Sequence, residues 1–284
     1  MIVLLRYTHN LRTKYMDRYI KDALGQCRVI DYETTSLDPF EAEVIEAGIA
    51  LFDPAINKWT MHGELYSAAG AVPVETQAVC LIHPSMLEGK DQFVQVKHEF
   101  FSFIDSGYVV AHNAIYEKLV MEAYGNKLAD EKFICTLRLA KKILPNLEWY
   151  KLPELRYYLD LSHDEPKYHN LQMHRAHHDA YFTGKLLETF IEIMVSRGIV
   201  SLGPNLIDDV AAYAQAPIIF EKVPFGKHRG KDFSDVPEDY WSWCFENMEQ
   251  FNDKNPLSYD EDLVMSVARA LGMVDEEEDT PPWR

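Results

Sequence analysis

The chain has 284 residues, and 47% of them are hydrophobic, which suits one medium-sized domain and a smaller one. Its 45 acidic residues outnumber the 28 basic ones, and a net charge of −17 disfavours a general nucleic-acid binder unless positive charge is concentrated locally or carried by metal ions. Four cysteines without a C-x-x-C pair predict reduced thiols in a cytoplasmic protein rather than a disulfide framework or a zinc site. Charge interrupts the apolar N-terminus at Arg6, so we predict neither a signal peptide nor a membrane span.

Apolar periodicity predicts strands in the first part of the chain, followed by alternating helices and strands. The predicted strands are 27–31, 43–53, 59–67, 107–113 and 133–136, of which the second and third form a hairpin. The predicted helices are 92–105, a helix that Asn113 caps and that runs to about Tyr124, a helix from 137 that ends at Pro145, 152–161 and 176–197. This order predicts an α/β domain built on a mixed sheet.

Composition divides the chain into five segments. They are an N-terminal extension (1–26), the α/β domain (27–200), a linker rich in small residues (201–217), a small C-terminal domain (218–273) that contains the sequence FGKHRGK, and an acidic tail (274–284). The first boundary after the α/β domain follows the end of its last long amphipathic helix.

Carboxylates occupy unusual positions on three of the predicted elements. Asp31 and Glu33 lie two residues apart at the end of a strand, so they share one face and are roughly 6.5–7 Å apart along the backbone. Glu117 is in phase with the apolar residues of its helix, and so is Asp179 on the last long helix. Because buried, unpaired carboxylates are costly, convergence on divalent cations explains all four, and oxygen ligands suit Mg²⁺ or Mn²⁺.

Each of these residues also has an ordinary explanation. A D-x-E sequence commonly ends a strand in solvent, and an acidic side chain such as Glu117 or Asp179 is favoured near a helix N-terminus. His174, five residues before Asp179, could be a loop histidine. The occurrence of all of them in this order favours the metal site.

Three motifs carry a resemblance to a known family. The sequences DYET (31–34), HNAIYE (112–117) and HRAHHD (174–179) resemble, in order and spacing, the motifs of the DnaQ-like, DEDDh 3′→5′ exonucleases. Two further stretches, 134–146 and 225–247, are similar to the exodeoxyribonuclease X group of that family. The resemblance implies a ribonuclease H-like mixed sheet flanked by helices. It also implies a metal-dependent enzyme that releases nucleoside 5′-monophosphates from a DNA 3′ end in repair or replication.

The resemblance further implies a role for each site residue. Two divalent ions, Mg²⁺ or Mn²⁺, would be held by four carboxylates: Asp31 as a bridge, Glu33 and Asp179 at the first ion, and Glu117 at the second. The family's second motif normally ends in Asp, so Glu117 carries its carboxylate one methylene further. His174 is the candidate general base, because a histidine with an ordinary pKa near 6.5 can accept a proton at neutral pH. The neighbouring histidines are interpreted as loop or surface groups: His169, His177 and His178.

Several residues are candidates for contacts with the nucleic acid. Around the terminal nucleotide they are Thr34, Thr35, Leu81, His83, His112 and Asn113, the last two in part structural. The densest basic cluster, in the C-terminal domain, supplies Lys227, Arg229 and Lys231. Well-solvated loops explain both groups about equally well. The aromatic residues of the C-terminal domain are predicted to form its core: Tyr240, Trp241 and Trp243.

Two other functions stay open from sequence alone. The same residues could trim RNA 3′ ends, since the 2′-hydroxyl is sensed by details of loop geometry. A weakly catalytic adaptor could dock to replication or repair proteins through the acidic tail, which reads DEEEDTPPWR. The intact carboxylates and His174 favour an enzyme. We expect it to act in the cytoplasm on single-stranded or duplex DNA with a free 3′ end.

Overall fold

A computed structural model describes residues 18–145, 147–161 and 171–274 of the chain. The chain divides between Ala214 and Gln215 into two units. The predicted acidic tail beyond residue 274, most of the predicted N-terminal extension, and His169 lie outside the described residues.

A five-stranded sheet forms the centre of the first unit. Its strands are β1 (Cys27–Thr34), β2 (Val44–Asp53), β3 (Lys58–Leu65), β4 (Tyr108–Ala111) and β5 (Phe133–Cys135). Their order is β3-β2-β1-β4-β5, in which β2 runs antiparallel to β1 and β3, whereas β1, β4 and β5 are parallel. Buried clusters of helix residues pack on the sheet, so the predicted mixed α/β sheet and its β2–β3 hairpin are confirmed.

Helices accompany the sheet throughout the described part of the first unit. They are α1 (Arg18–Gly25), α2 (Val74–Cys80), α3 (Phe93–Ile104), α4 (Ile115–Ala123), α5 (Thr136–Ile143), α6 (Leu152–Tyr158), α7 (Ala176–Ser196) and α8 (Leu206–Gln215). The helices expected from periodicity are present, whereas the sequence did not predict α1, α2 and α8. These three helices have only 7 to 10 residues, which is too short for a clear periodic signal.

The structure differs from the linker predicted at 201–217. Helix α8 lies in this segment, and Leu206, Val210 and Ala214 are buried in the core that also contains α7. Their spacing of four residues forms one apolar stripe. Small residues and a glycine precede the helix and dominate the composition of the segment, which hides that stripe.

Alternation along β1 assigns its side chains to two cores. Val29 packs in the core that contains α7, whereas Ile30 and Tyr32 pack in the core that contains α3. Since alternate residues of a strand share a face, Asp31 and Glu33 lie on the face that α7 covers. The strand thus directs two acids toward the N-terminal half of the helix that carries Asp179.

The second unit is small and mainly helical. Its helices are α9 (Glu238–Asn247) and α10 (Glu261–Ala270), and its core contains Val223, Phe233, Trp241 and Leu263. Trp241 is 1% exposed, whereas Trp243 is 51% exposed and does not belong to this core. The prediction of a core position is therefore confirmed for Trp241 and wrong for Trp243.

Two further features concern the cysteines and the length of the helices. All four cysteines are free thiols, as predicted, and three of them are buried. Within the described ranges, no helix combines the length and the apolarity that crossing a bilayer requires.

Candidate active site

Two carboxylates stand at the carboxyl end of β1. Because β1 and β4 are parallel, the carboxyl ends of both strands lie at the same edge of the sheet. Asp31 and Glu33 are half-buried at this edge. The pairing of β1 with β2 shifts register between Glu33 and Thr34, so the regular strand ends immediately after the two acids.

Helices α4 and α7 bring two further carboxylates to the site. Glu117 lies in the first turn of α4 and Asp179 in the first turn of α7. The two residues are 5% and 6% exposed. One oxygen of each carboxylate, Glu117 Oε2 and Asp179 Oδ1, is buried and has no hydrogen-bond partner in the described part of the chain. Both side chains are thus buried without being fully paired.

Burial and mutual repulsion disfavour ionisation of these acids. Burial is the largest cause of the raised pKa of Asp31, and the charges of the neighbouring acids raise it further. Burial and then the charge of Asp179 raise the pKa of Glu33 to about 8. Burial also raises the pKa of Glu117 to about 8 and the pKa of Asp179 to about 7. These four residues form what we term the acid cluster: Asp31, Glu33, Glu117 and Asp179.

His174 lies beside the acid cluster, in the segment that precedes α7. One ligand atom from each of Glu33, His174 and Asp179 lies within 4.8 Å of the other two, so this group could hold a metal ion. The His174 backbone N–H donates to Asp179 Oδ2 at 3.0 Å. His174 has φ = 59°, a left-handed conformation that non-glycine residues rarely adopt outside functional or strained sites. The exposed ring is therefore held next to the acids through its own backbone.

Glu46 on β2 is a fifth carboxylate at this edge, and the sequence did not identify it. It is 1% exposed and pairs directly with Glu33 across β1 and β2. Its oxygens accept hydrogen bonds from Arg175 Nε at 2.9 Å, Arg175 Nη2 at 3.0 Å, His177 Nδ1 at 3.0 Å and the Ala176 N–H at 3.2 Å. Burial raises the pKa of Glu46, but these donors outweigh burial and leave the pKa below its ordinary value. We term this arrangement the Glu46 clamp. A lone acid inside the apolar run VIEAGIALF was the available signal.

Two glycines allow α7 to approach the sheet closely. Gly48 on β2 and Gly63 on β3 are paired across the two strands. A Cβ on Gly48 would lie 2.1 Å from the Ala176 carbonyl carbon, and a Cβ on Gly63 would lie 2.4 Å from the His177 ring. The first turn of α7 therefore rests directly on the sheet, where the Glu46 clamp holds it.

The structure corrects the interpretation of His177 as a loop or surface group. His177 is half-buried and donates to Glu46. His178 donates from Nδ1 to the Gln172 carbonyl at 2.8 Å, and its ring centroid lies 4.1 Å from that of His177. Both rings are engaged within the protein, which leaves His174 as the histidine that shares the group with Glu33 and Asp179.

Thr34 and Thr35 follow the acids of β1. Thr34 Oγ1 donates to the Ser36 carbonyl at 2.9 Å and lies 2.5 Å from the Tyr116 hydroxyl. Thr35 Oγ1 accepts from the Glu43 N–H at 3.0 Å. Tyr116 also donates to the Ser36 carbonyl at 2.6 Å, so its hydroxyl ties α4 to the loop after β1, a contact that phenylalanine could not make.

Leu81 and His83 are exposed on the segment that follows α2. Leu81 is 59% exposed, with φ = 55°, and His83 accepts from the Ser85 N–H at 3.3 Å. The pKa of the preceding Cys80 is raised, first by burial and also by the charges of Glu33 and Glu46. Cys80 and Ile82 share a buried cluster with Ile45 of β2, so this segment packs on the strand that carries Glu46.

His112 and Asn113 follow the end of β4. The His112 ring nitrogens lie 3.0 Å from Thr136 Oγ1 and 2.9 Å from the Tyr150 carbonyl oxygen, and burial lowers the His112 pKa to about 4. The neutral ring therefore donates from Nε2 to the carbonyl, which supports the structural role. The predicted helix cap at Asn113 is wrong: the chain turns there with φ = 69°, and Ala114 precedes the helix without a side-chain cap.

The basic residues predicted to contact phosphate belong to the second unit. All three are exposed on one loop: Lys227, Arg229 and Lys231. Among the residues that the structure describes, no carboxylate lies within 4.0 Å of their cationic nitrogens.

The donor set of the acid cluster fits hard divalent cations. Carboxylate oxygens are the ligands that Mg²⁺ and Mn²⁺ prefer, and two of these oxygens are buried without a partner. Positive charge would also relieve the repulsion among the four acids. Glu46 does not belong to this donor set, because Arg175 already neutralises it and His177 donates to it.

Comparison with known proteins decides the family. A family profile described as Exonuclease (RNase_T) matches residues 29–187, a span that contains the acid cluster, His174 and the Glu46 clamp. The chain belongs to the exonuclease family. The family expected from the three motifs is thereby confirmed.

Two members of the exonuclease family show how far the similarity extends. Exodeoxyribonuclease 10 of Escherichia coli (strain K12) is 27% identical over 228 residues, which cover 79% of this chain and 93% of that protein. The 3′-5′ exonuclease DinG of Bacillus subtilis (strain 168) is 30% identical over 172 residues, which cover 58% of this chain. The chain spans only 17% of the length of DinG.

A solved structure of an exonuclease shares the fold. Exonuclease X, in complex with 5′ overhanging duplex DNA, aligns with a TM-score of 0.50 and 24% sequence identity. The alignment covers 65% of this chain and 99% of that one. This likeness confirms the predicted fold class of a mixed sheet flanked by helices.

Proposed function

We propose that this protein is a divalent-metal-dependent 3′→5′ exonuclease that hydrolyses DNA from a free 3′ end and releases nucleoside 5′-monophosphates in repair or replication. One observation carries the proposal: β1, α4 and α7 bring four acids together with two unpartnered buried oxygens, and His174 stands beside them. The relationship to exodeoxyribonuclease 10, of which the chain covers 93%, supports DNA as the substrate.

The acid cluster would hold the metal ions. When bound, two divalent cations stabilise negative charge on phosphoryl oxygens and lower the pKa of water. The four carboxyl groups have raised pKa values, so their ionisation is coupled to cation binding, and metal uptake near neutral pH should release protons. Mg²⁺ and Mn²⁺ are the ions that this donor set favours.

His174 would act as the general base. Its ring is exposed while its backbone N–H is bonded to Asp179, so a ring nitrogen can accept a proton from the attacking water. The water oxygen forms a bond to phosphorus, and the bond between phosphorus and the 3′ oxygen of the preceding nucleotide breaks. That 3′ oxygen takes up a proton from solvent. One water is consumed, and one nucleoside 5′-monophosphate leaves.

The terminal nucleotide would contact the segments around the acids. Leu81 presents an exposed apolar side chain on the segment that packs on β2, which suits contact with the face of a base. Thr34, Thr35 and His83 would supply polar groups to the same nucleotide. Asn113 is exposed beside α4 and would contact the DNA strand. His112 would instead stabilise the site through its hydrogen bonds with Thr136 and Tyr150.

A digestion series with 5′-labelled strands tests the proposed function. Single-stranded DNA, duplex DNA and RNA of one sequence are incubated in parallel with Mg²⁺, Mn²⁺ or EDTA. We expect ladders that shorten from the 3′ end only when a cation is present, together with 5′-monophosphates identified by chromatography. Asp31→Asn protein, purified identically, controls for a contaminating nuclease.

Each alternative has its own outcome in this series. Faster digestion of RNA than of DNA would contradict the proposed substrate and favour RNA 3′-end trimming. Binding of the strands without hydrolysis in either cation would contradict an enzyme and favour an adaptor. Products that shorten from the 5′ end would contradict the direction of hydrolysis.

A further inference from the structure

Two aromatic rings of α9 stack on each other: Tyr240, half-buried against the core of the second unit, and Trp243, half-exposed. Tyr240 and Trp243 are about one helical turn apart, their ring planes differ by 19°, and their centroids are 6.2 Å apart. Trp243 is 51% exposed, whereas Trp241 is 1% exposed and stacks on Phe233 in the core. The unit therefore fills its core without Trp243, whose ring remains half-exposed.

A loop is fixed against this aromatic pair. We term residues 226–231, GKHRGK, the basic loop. The Val223 N–H donates to the Lys231 carbonyl at 2.9 Å, and the Gly230 N–H donates to the Val223 carbonyl at 2.8 Å, so the base of the loop is closed. Gly226 has φ = 63°, and a Cβ there would lie 2.5 Å from the Tyr240 hydroxyl. The loop backbone is thus preorganised next to Tyr240.

The basic loop concentrates positive charge in an acidic chain. Lys227, Arg229 and Lys231 are exposed, and none of them has an ion-pair partner among the described residues. Lys227 Nζ lies 4.9 Å from the centroid of the adjacent tyrosine ring, so a cation directly adjoins the aromatic pair. The nearby carboxylate of Asp232 is paired with Lys222 at 2.6 Å.

Cations on a fixed loop beside a half-exposed indole match the chemistry of single-stranded nucleic acid. We propose that the second unit binds single-stranded nucleic acid, with a base stacked on Trp243 and phosphates held by Arg229 and Lys231. A strongly acidic peptide would match the cations but would face the indole only where it carries an aromatic residue, whereas every nucleotide of a strand supplies both a phosphate and a planar base. The inference rests on the proposed function, because the bound strand would be the substrate of the exonuclease.

Direct binding in EDTA tests this site without hydrolysis. Full-length protein is titrated into a fluorescein-labelled oligothymidylate of about 20 nucleotides, longer than most site sizes of single-strand binders, and anisotropy is followed at several salt concentrations. We expect Trp243→Leu to weaken binding about 5- to 150-fold, the range of one base stack. The matched control is Phe245→Leu, which removes a ring that is 43% exposed on another side of the same helix.

Charge substitutions test the phosphate contacts. We expect the double variant Arg229→Ala/Lys231→Ala to bind more weakly and to lower the salt slope by about one for each lost contact. Lys254→Ala, which removes an exposed cation elsewhere in the unit, should leave the slope unchanged.

Trp243→Phe keeps an aromatic face and should bind more tightly than Trp243→Leu. This comparison remains informative if the leucine variant is less stable.

Several outcomes would overturn the inference. Equal affinities for Trp243→Leu and Phe245→Leu would exclude the aromatic contact, and an unchanged salt slope in the double variant would exclude the phosphate contacts. Tighter binding of an acidic peptide with the sequence of 275–284 than of the oligonucleotide would assign the loop to peptide instead. If hydrolysis proceeds while all variants bind like wild type, this inference alone fails. If hydrolysis is absent and the variants bind as expected, the proposed function alone fails.

Discussion

Carboxylates on two neighbouring strands of one sheet edge have opposite environments. Glu33 and Glu46 pair directly across β1 and β2. Burial and the charge of Asp179 raise the pKa of Glu33 to about 8, whereas Arg175 and His177 hold the pKa of Glu46 below its ordinary value despite burial. A buried acid that is paired with a cationic side chain of the protein has a structural role. A buried acid without such a partner is available to bind a cationic ligand.

This contrast predicts opposite responses to the loss of one negative charge. Neutralising a member of the acid cluster should stabilise the metal-free protein, because repulsion is relieved, while activity is lost. Neutralising Glu46 should destabilise the protein, because buried donors lose their acceptor. Activity would then fall because the start of α7, with His174 and Asp179, is displaced, and not because a metal ligand is removed.

The largest effect is expected for Asp31→Asn. The substitution keeps the shape of the side chain and removes a charge that interacts with every other member of the acid cluster. Hydrolysis of a 5′-labelled strand should become undetectable with either cation, while the melting temperature in EDTA rises above that of wild type. Activity within a few-fold of wild type would show that Asp31 does not hold a metal ion.

The next effect concerns the base. His174→Ala should lower kcat by roughly 10²–10⁴-fold, the contribution of a general base, while cation affinity measured by calorimetry stays nearly unchanged. His178→Ala is the matched control, since its ring donates to the Gln172 carbonyl. A large loss in His178→Ala or His177→Ala together with an active His174→Ala would assign the base to another ring.

Glu117 tests how the acid cluster tolerates its longer side chain. Mg²⁺ requires near-ideal octahedral geometry, so a carboxylate one methylene further than the family's Asp should favour Mn²⁺ over Mg²⁺. Glu117→Gln keeps length, removes charge and should lower kcat at least about a hundredfold with either ion, which corresponds to about 2.7 kcal/mol of transition-state stabilisation. Glu117→Asp should change the ratio of the Mn²⁺ and Mg²⁺ rates. Near-normal hydrolysis by Glu117→Gln would remove this residue from the site.

The acid cluster could be predicted because each acid violates a local pattern. Asp31 and Glu33 share a strand face, and Glu117 and Asp179 interrupt apolar helix stripes, so a short stretch of sequence displays each anomaly. The Glu46 clamp could not be predicted in this way, since Glu46 and Arg175 are 129 residues apart. Their contact depends on the close approach of α7 to β2 at Gly48.

The wrong predictions for the linker at 201–217 and for Trp243 have a related physical cause. Helix α8 presents three spaced apolar residues, and only the core that they enter distinguishes it from a linker. On α9, Trp241 and Trp243 have equal intrinsic preference for burial. Which one is buried depends on the side of the helix that meets Phe233, and this is a tertiary contact.

A smaller effect is expected when Glu46, the acid that is paired within the protein, is changed. In Glu46→Gln, one oxygen that accepts from Arg175 becomes an amide donor, so unfolding should become easier by about 1–3 kcal/mol. Activity should fall about 10- to 100-fold, as is typical when a residue that orients a metal site is lost. Glu41→Gln, which changes an exposed acid nearby, should leave both quantities close to wild type. Full activity in Glu46→Gln would show that the clamp does not position His174.

The smallest expected effect is a pH dependence of metal-free stability, and its sign follows from the acid cluster. A carboxyl group with a higher pKa in the folded state binds more protons there, so its stability contribution is complete below the unfolded pKa near 4 and is lost as pH rises through the folded pKa. The folded values are about 8 for Glu33, about 8 for Glu117 and about 7 for Asp179, so the loss extends through neutral pH to about pH 8. The pKa of Glu46 is lowered instead, so its contribution is already complete above its unfolded pKa near 4.3 and stays constant over this window.

In EDTA, the melting temperature of wild type should therefore fall by several degrees between about pH 5 and about pH 8.5, given about 2–4 °C for each kcal/mol. Glu117→Gln should show a shallower fall, because one of the titrating groups is gone and the repulsion on the others is weaker. Saturating Mg²⁺ should oppose the fall in wild type, since the cation binds the ionised carboxylates.

Glu41→Gln controls for the general effect of removing one negative charge and should keep the wild-type slope. A melting temperature that does not change with pH in EDTA would contradict this prediction, and so would equal slopes for wild type and Glu117→Gln. Either result would show that the ionised acids do not destabilise the folded protein by repelling one another. The distinction between an unpaired acid cluster and a neutralised Glu46 would then lose its energetic basis.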